Sequence, residues 1–474
     1  MDLPGLGRSP WLCLTLALLL FWPAFCGAEV RELTLAECIN LALRANTDAA
    51  KGRLDRLLSR LDRQIGQDYF QPDLYLSPGS DYETDEEGRW RLGLDATIVQ
   101  RLPTGGQIRF DWDNSYNRYT SEDEEDWTSG VAVKLSQPLL RGAGIKVGAS
   151  PVVLSGWEDD EDRWGFAWLL TRLITQVQKR YWDLLYANES LGVAQGALER
   201  SQRLLEESRA KATAVELVEY ESEAADAELE VYDRTLAVTK ANLRLLDLMD
   251  AAGLTGVRPK GGFEFGPVAL DAERFLEIAL KQRPDLKQYQ ARVDIARLKM
   301  IVADSRAKTD LDLAVSASSR ATEERFAQAF EDAYNLSEEW VIGLEAEIRL
   351  GVPGRKREAA AAGYRLDKAE LDLAERTQSV RNDVITAVES LKASLKSIEL
   401  AQRAGGLAQR KLAAAEESFL RGEADNLKVL IYQRDLTSAR LKEYRAIVNY
   451  LYDLAELDES MGNTLTTWQV EMGS

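Results

Sequence analysis

The residue types that most often perform chemistry are scarce in this chain. It has no histidine among its 474 residues, so it cannot supply an imidazole base, a Ser-His-Asp triad or histidine metal ligands. Glu345 and Glu347 lie two apart on a predicted strand, a spacing that could pair carboxylates for acid and base catalysis. They lack a sugar-binding aromatic context, and hydration of one strand face is the favoured explanation. We therefore predict neither an enzyme nor a cofactor site.

Two other segments have the composition of ligand sites. Gly142-Ala143-Gly144 lacks the third glycine of the dinucleotide motif and the Gly-Lys-Ser/Thr of a phosphate loop, which favours an ordinary connecting loop. The acidic run at 121–126 could bind divalent cations, but a solvated loop of mutually repelling charges is favoured. The net charge of −19, with Lys and Arg scattered along the chain, predicts no nucleic-acid partner.

The N-terminus has the features of a secretory signal. Residues 1–28 combine one basic residue, an apolar run and a small-residue exit, which predicts cleavage before Glu29. The alternative is lipidation of Cys26, which the bulky Phe25 before it disfavours. The mature chain then keeps Cys38 without a disulfide partner, and we expect it to be buried on an amphipathic helix.

The elements that position these residues occur twice along the chain. Residues 41–44 reappear as 278–281, and the same offset of 237 carries 73–77 onto 310–314. Each copy begins with a short helix, continues into strands and ends in a long helical hairpin. The predicted organisation is a signal at 1–28, a first repeat at 29–258, a linker at 259–269, a second repeat at 270–462 and a tail at 463–474. Strands are expected at 73–137 and 310–350, and helical hairpins at 162–250 and 355–458.

Alternating hydrophobicity predicts the strands. Every second residue is apolar from Trp90 to Ile98, from Ile108 to Trp112 and from Trp340 to Leu350. A half-buried sheet in a soluble protein would also alternate. In a membrane barrel the apolar residues contact lipid and the charged residues face a wet lumen. The mature chain has no run of 18 apolar residues, so we expect any membrane span to be a barrel, with a lumen lined by Asp95, Arg109, Asp111, Glu345 and Glu347.

Very long helices follow the strands. Apolar residues from Val380 to Ile398 recur at intervals of three and four, which is the seam of a coiled coil. A helix of about 65 residues extends about 100 Å and must pack sideways against similar helices. The two hairpins are predicted to reverse at 209–214 and 420–425, with returning helices from about 215 and from 426.

The order of these elements and three short motifs resemble the TolC-like outer-membrane efflux family. The motifs are Gln137-Pro138-Leu139-Leu140-Arg141-Gly142, Arg283-Pro284-Asp285-Leu286 and Phe419-Leu420-Arg421-Gly422. The resemblance covers nearly all of the mature chain. It implies an α+β fold in which an outer-membrane β-barrel is continued by a long α-helical coiled-coil periplasmic tunnel, internally duplicated and trimeric.

The resemblance also implies a function and a set of partners. It implies an export or efflux channel of the bacterial outer membrane, which docks to a periplasmic adaptor and to an inner-membrane transporter of the RND, ABC or MFS type. The docking tips would include Arg209, Lys211, Thr213, Arg421, Gly422 and Glu423. Lys428 and Ile431 align with the aspartates of the periplasmic gate in the well-known member, so an acidic gate ring is not expected. The alternative function is a non-channel periplasmic or surface coiled-coil scaffold.

The two copies differ in length within their strands. The offset falls from 237 to 215 where the strands end, if Pro138 corresponds to Pro353, so the first copy has 22 additional residues. One hairpin around the turn at 102–106 accounts for them. This predicts four strands from the first copy and two from the second, where the TolC-like pattern has two from each, and 18 strands in a trimer. The alternative is a hairpin outside the ladder of the barrel.

Overall fold

The computed structural model describes most of the chain. It covers residues 29–84, 88–120, 124–209, 213–251, 253–263, 266, 269–334, 339–348, 354–421 and 426–470. The strands are β1 (Glu29–Leu33), β2 (Asp73–Glu83), β3 (Arg89–Arg101), β4 (Gln107–Tyr119), β5 (Glu125–Pro138), β6 (Leu254–Pro259), β7 (Asp310–Glu323) and β8 (Glu339–Glu347). The predicted signal segment lies outside the described residues.

Four of the described helices have 36 residues or more, and the others have 23 or fewer. They are α1 (Leu35–Ala45), α2 (Thr47–Gln67), α3 (Ile145–Gly148), α4 (Ser150–Ser208), α5 (Ala214–Met249), α6 (Ala272–Gln282), α7 (Pro284–Arg306), α8 (Phe326–Ala333), α9 (Gly354–Leu420), α10 (Asn426–Met461) and α11 (Thr464–Thr467). None of the described helices is both long and apolar enough to cross a lipid bilayer. The predicted mixture of strands and very long helices is confirmed.

The chain folds into two compact units. The first comprises the residues up to Ala49, Leu173–Ala269 and Glu389–Glu456, and the second comprises Ala50–Arg172, Leu270–Val388 and the residues from Leu457. Helices α4 and α9 therefore contribute residues to both units. Because each unit takes segments from both predicted repeats, the repeats do not correspond to separate compact bodies.

A small sheet in the first unit was not anticipated from the sequence. Strand β1 pairs with β6 in parallel, with Leu33 opposite Pro259. Tyr181 of α4 donates its hydroxyl to the carbonyls of Leu33 and Lys260, at 3.2 and 3.1 Å. The start of the predicted linker thus belongs to a strand. The two strands have only five and six residues and are far apart in the chain, so their alternation of apolar and polar residues is too short to detect in the sequence.

Cys38 occupies the core of this unit, as predicted. Its side chain is fully buried on α1, where burial raises the pKa of the thiol to about 12. The helix starts with a capping box, in which Thr34 and Glu37 exchange hydrogen bonds between side chain and backbone. A thiol with this pKa is protonated at neutral pH, and we assign Cys38 a packing role.

The second unit contains one six-stranded antiparallel sheet. Its order is β2-β3-β4-β5-β7-β8, so four strands come from the first repeat and two from the second. Strands β3 and β4 extend over 89–101 and 107–119, close to the predicted hairpin, and both lie within the hydrogen-bonded ladder. The predicted strand count is confirmed, and the hairpin is not outside the sheet.

The predicted coiled-coil seam is buried. Val380, Val384, Val388, Leu391 and Ile398 of α9 are at most 4% exposed. Helix α4, in contrast, begins at Ser150 and not at 162. The residues before 162 thus belong to the helix, and among them Asp159 is buried against Arg56 of α2, with an Nη1 to Oδ1 distance of 2.6 Å. Asp159 thus has its partner about 100 positions away in the chain.

A second correction concerns the strand region predicted at 310–350. Helix α8 interrupts it between β7 and β8. Phe326 and Phe330 of this helix contact Trp127 and Trp112 of the sheet, with ring centroids 5.4 and 6.2 Å apart. An eight-residue amphipathic segment is too short to separate from a strand by periodicity alone, so the sequence could not identify it.

Candidate functional site: the two-faced sheet, the helix reversals and a buried ion cluster

The register of the six-stranded sheet separates apolar and charged side chains onto opposite faces. Residues directly opposite each other in an antiparallel ladder share a face. Ile98 lies opposite Phe110, and Leu94 opposite Asn114, whereas Asp95 lies opposite Asp113 on the other face. The apolar face continues through Leu76 on β2 and Ile342 on β8, which are 64% and 74% exposed. A soluble sheet would bury such a face against a core.

All five residues predicted to line a lumen lie on the charged face. The ladder places Asp95, Arg109 and Asp111 on the same side of β3 and β4, and it sets Glu345 opposite Asp312 and Glu347 opposite Asp310. That this face borders a lumen remains a prediction. The sequence could assign each of these residues only to one face of its own strand. The sheet places those from both repeats on one common face.

Ion pairs order the charged face. Arg109 donates through Nε to both carboxylate oxygens of Asp111, at 2.7 and 2.9 Å, and Lys134 lies 4.0 Å from the same carboxylate. The hydroxyl of Thr97 donates to Asp111 as well, at 2.8 Å. Glu345 and Glu347 are both exposed strand residues, and each faces another carboxylate across the ladder. This arrangement suits hydration and ion contact and supplies no acid and base pair around a substrate pocket.

Helix α8 covers part of the apolar face where that face becomes polar. Ser129, on β5, is fully buried and donates to Asn114 Oδ1 at 2.8 Å. Ala329 and Ala333 of α8 are also fully buried. The small side chains let the helix approach the sheet closely, while its two phenylalanines contact the flanking tryptophans. The helix therefore shields hydrogen-bonding groups that interrupt an otherwise apolar surface.

The helix reversals carry the predicted docking and gate residues. Arg209 is exposed just beyond α4, and Thr213 is the N-cap of α5, where its hydroxyl accepts from the Glu216 backbone N–H. Arg421 follows α9 and lies 3.4 Å from Glu417. Lys428 and Ile431 are exposed near the start of α10, next to the buried Val429 and Leu430. Lys211, Gly422 and Glu423 lie outside the described residues.

A buried ion cluster in the second unit was not predicted as a site. Arg283 donates two hydrogen bonds to the carboxylate of Asp285, from Nε at 3.0 Å and from Nη2 at 2.9 Å. Arg376 donates to the same carboxylate at 2.6 Å, and Asp383 accepts from Arg283 at 2.9 Å. The Trp168 ring lies 5.0 Å from the Arg283 guanidinium. The Arg-Pro-Asp motif was the only sequence signal, because Arg376 and Trp168 are distant in the chain.

The electrostatics of this cluster favour the charged form of its central carboxyl. Burial acts to raise the pKa of Asp285, but the hydrogen bonds and charges of Arg283 and Arg376 outweigh it and hold the pKa below its ordinary value. Gly462 allows the close packing, since its φ is +72° and a side chain there would meet the Arg283 backbone. We assign the cluster a structural role that fixes α6, α7 and α9 around one buried charge.

The described residues contain no cluster of acidic or cysteine side chains arranged to hold a metal ion. The part of the acidic run from 124 to 126 is described, and the rest lies outside the described residues. Gly142 and Gly144 belong to the loop that leaves β5, with φ values of +81° and +94°. The backbone N–H of Gly142 donates to the Ser305 hydroxyl at 3.0 Å, which is the connecting role favoured from the sequence.

Comparison with known proteins agrees with the resemblance seen in the motifs. Residues 275–463 match the model of the outer membrane efflux protein family. No curated protein sequence matches the chain.

Solved structures of outer-membrane channels have the same fold. The outer-membrane channel OprN is similar with a TM-score of 0.68 at 15% identity, over 91% of this chain and 90% of that chain. The CmeC outer membrane channel of Campylobacter jejuni has a TM-score of 0.67 at 13% identity, over 91% and 86%. VceC of Vibrio cholerae has a TM-score of 0.65 at 15% identity, over 90% and 96%.

Proposed function

We propose that this chain, an outer membrane efflux protein by its match over residues 275–463, is one protomer of a homotrimeric export channel. The channel would cross the bacterial outer membrane as a barrel and continue into the periplasm as a helical tunnel. It would perform no chemistry of its own, because the transport energy would come from an inner-membrane transporter of the RND, ABC or MFS type. A periplasmic adaptor would join the two.

The observation that carries the proposal is the exposed apolar face of the six-stranded sheet. Leu92 on β3 is 61% exposed and Leu344 on β8 is 66% exposed, and described segments other than α8 leave this face bare. Contiguous apolar surface of this kind is unstable in water and marks contact with lipid or with another protein. A coiled-coil scaffold in the periplasm would not need an exposed apolar sheet face. The exposed face therefore counts against the scaffold as the alternative function.

The edges of the sheet support assembly with further copies. Strands β2 and β8 each have one partner strand among the described residues, so each has an unpaired edge. Unpaired edges inside a membrane leave backbone N–H and C=O groups unsatisfied, and closed barrels avoid this cost. A second copy supplies the missing partner when its β2 pairs with β8 of the first.

The charged face supports a water-filled lumen. Asp95, Asp111 and Glu345 lie on it together with Arg109 and Lys134, and the ion pairs of Asp111 with Arg109 and Lys134 reduce the net field. In outer-membrane barrels the lumen face is polar and tunes selectivity. We assign these residues to the conducting pathway.

The helix reversals at 209–213 and at 421–426 would form the docking tips, two per protomer and six per trimer. Arg209, Thr213 and Arg421 are the described residues there, and Lys211, Gly422 and Glu423 complete the proposed surface. Lys428 and Ile431, exposed two and five residues into α10, would border the periplasmic aperture. Three copies of Lys428 would make that aperture cationic.

The test combines cell fractionation with electrical recording. The full chain should fractionate with the outer membrane and give ion conductance in planar lipid bilayers. A soluble periplasmic species without conductance would refute the channel. Cysteines at Arg209 and Arg421 should crosslink to the adaptor in cells, whereas a cysteine at Lys396, in the middle of α9, serves as the matched control. Crosslinks from Lys396 alone would refute docking at the tips.

A further inference from the structure

The additional hairpin is an internal part of the sheet. Strand β3 is bonded to β2 on one side and to β4 on the other, and β4 is bonded to β5. The pairing between β3 and β4 is continuous from Arg89 opposite Tyr119 to Arg101 opposite Gln107. Removing the hairpin from the wall would break ladders on both of its sides. The sheet therefore spans six strands of width in each protomer.

The same unit contains four helices side by side in a matching order. Arg56 of α2 pairs with Asp159 of α4 at 2.6 Å, and Arg292 of α7 pairs with Glu161 of α4 at 2.6 Å. Arg297 of α7 then pairs with Glu370 of α9 at 3.1 Å. The helices are thus ordered α2-α4-α7-α9.

Each of these helices precedes or follows one strand of the sheet in the chain. Helix α2 precedes β2, α4 follows β5, α7 precedes β7 and α9 follows β8. The sheet has the same order, β2, β5, β7 and β8, with the additional hairpin between β2 and β5. The hairpin therefore widens the sheet without adding a helix to the wall.

The spacing of strands and of helices allows the width of the sheet to be compared with the width of the four helices. Strands about 4.8 Å apart and tilted about 40° occupy about 6 Å of rim each, so four strands cover about 25 Å and six cover about 38 Å. Neighbouring helices are about 9 Å apart, so four helices cover about 36 Å. On these dimensions, the arc of six strands is about as long as the arc of four helices.

We propose that β2 of one copy pairs with β8 of the next, so that three copies close an 18-stranded barrel as wide as the helical tunnel. This inference rests on the proposed function. The two edges are compatible, because β2 and β8 run antiparallel in the sheet order and both present apolar residues on the same face, namely Leu74 and Leu76 on β2 and Ile342 and Leu344 on β8. Pairing them continues the apolar surface around the ring.

The width has a consequence for the cargo. A ring of 18 strands is about 36 Å across between backbones, and side chains reduce the open lumen to about 25 Å. Such an exit passes polypeptide chains and comparably bulky solutes as well as small molecules. The outer end of the duct would then exclude only solutes wider than about 25 Å.

The experiment compares the intact chain with a variant that lacks residues 85–120, which removes β3 and β4 and leaves β2 antiparallel to β5. Polyethylene glycols of graded size are added to the outer side of single channels, and the largest size that lowers conductance gives the exit radius. The intact channel should admit polymers of about 2-fold larger radius than the variant, because the same layer of side chains narrows a ring of 18 strands to about 25 Å and a ring of 12 strands to about 13 Å. Equal cut-offs would overturn the inference.

Two further measurements use the intact chain, so they test the inference even if the deletion variant does not fold. Strands of the intact trimer can be counted by electron cryomicroscopy, where 18 supports the inference and 12 overturns it. Cysteines at Ser77 on β2 and at Val341 or Gly343 on β8 should crosslink between copies, and absent crosslinks overturn the closure. An intact chain without conductance would instead refute the proposed function.

Discussion

Arg283 and Asp285 form a two-pronged ion pair in which both side chains are almost wholly buried, at 2% and 3% exposure. Arg376 contacts the same carboxylate, and Asp383 balances the first guanidinium. Two arginines thus share two aspartates at the junction of α6, α7 and α9. Removal of one partner from a buried pair leaves an uncompensated charge, which is the costly event in such clusters.

The first prediction concerns the stability of this cluster. Asp285→Asn should lower the free energy of unfolding by about 3 kcal/mol, since it leaves Arg283 and Arg376 without their shared carboxylate. Asp294→Asn on α7 is the control, because its pair with Arg297 is exposed and worth under about 1 kcal/mol. Thermal unfolding of purified protein followed by circular dichroism measures both. Equal shifts for the two variants would contradict a special role for Asp285.

The second prediction concerns pH. The pKa of Asp285 is held below its ordinary value, so its stabilisation is complete above the unfolded-state value of about 4 and is lost as the pH falls through the folded-state value. The gap in melting temperature between the wild type and Asp285→Asn should therefore stay constant from pH 7 to about 5 and narrow in more acid buffer. A gap that is unchanged at pH 3 would show that the carboxylate is not the stabilising group.

The third prediction concerns helix α8. Phe330→Ala should weaken the packing of α8 on the sheet by about 1 kcal/mol, because it removes an edge-to-face contact with Trp112. The unfolding temperature of the protein in detergent should fall, and tryptophan emission should shift. Gln328→Ala, on an exposed position of the same helix, is the matched control. If both variants behave like the wild type, α8 is not held to the sheet by its phenylalanines.

The fourth prediction concerns the periplasmic aperture. Lys428→Asp should shift ion selectivity towards cations, because in the proposed trimer three negative charges would replace three positive ones at the periplasmic aperture. Reversal potentials in a potassium chloride gradient measure the shift. Lys396→Asp makes the same charge change in the middle of α9 and should have a smaller effect. Unchanged selectivity in Lys428→Asp would mean that this side chain points away from the pathway.

Local patterns in the sequence determined much of the fold. A period of two fixed the strands, including the hairpin on either side of residues 102–106, because alternation reports directly which face of a strand is apolar. Intervals of three and four identified the seam from Val380 to Ile398 for the equivalent reason in a helix. The comparison of the two copies then gave six strands, since a length difference within a duplicated unit needs no knowledge of packing.

Tertiary structure decided what depends on partners distant in the chain. Helix α4 begins at Ser150, and its Asp159 pairs with Arg56 of another helix, a contact that no local pattern contains. Helix α8 packs two phenylalanines against tryptophans of β4 and β5, which are distant in the chain. In the sequence, Asp285 is only one residue of a short motif. In the folded chain it accepts a hydrogen bond from Arg376, which lies 91 positions later. Burial and charge pairing act through space, so their outcome appears only when the chain has folded.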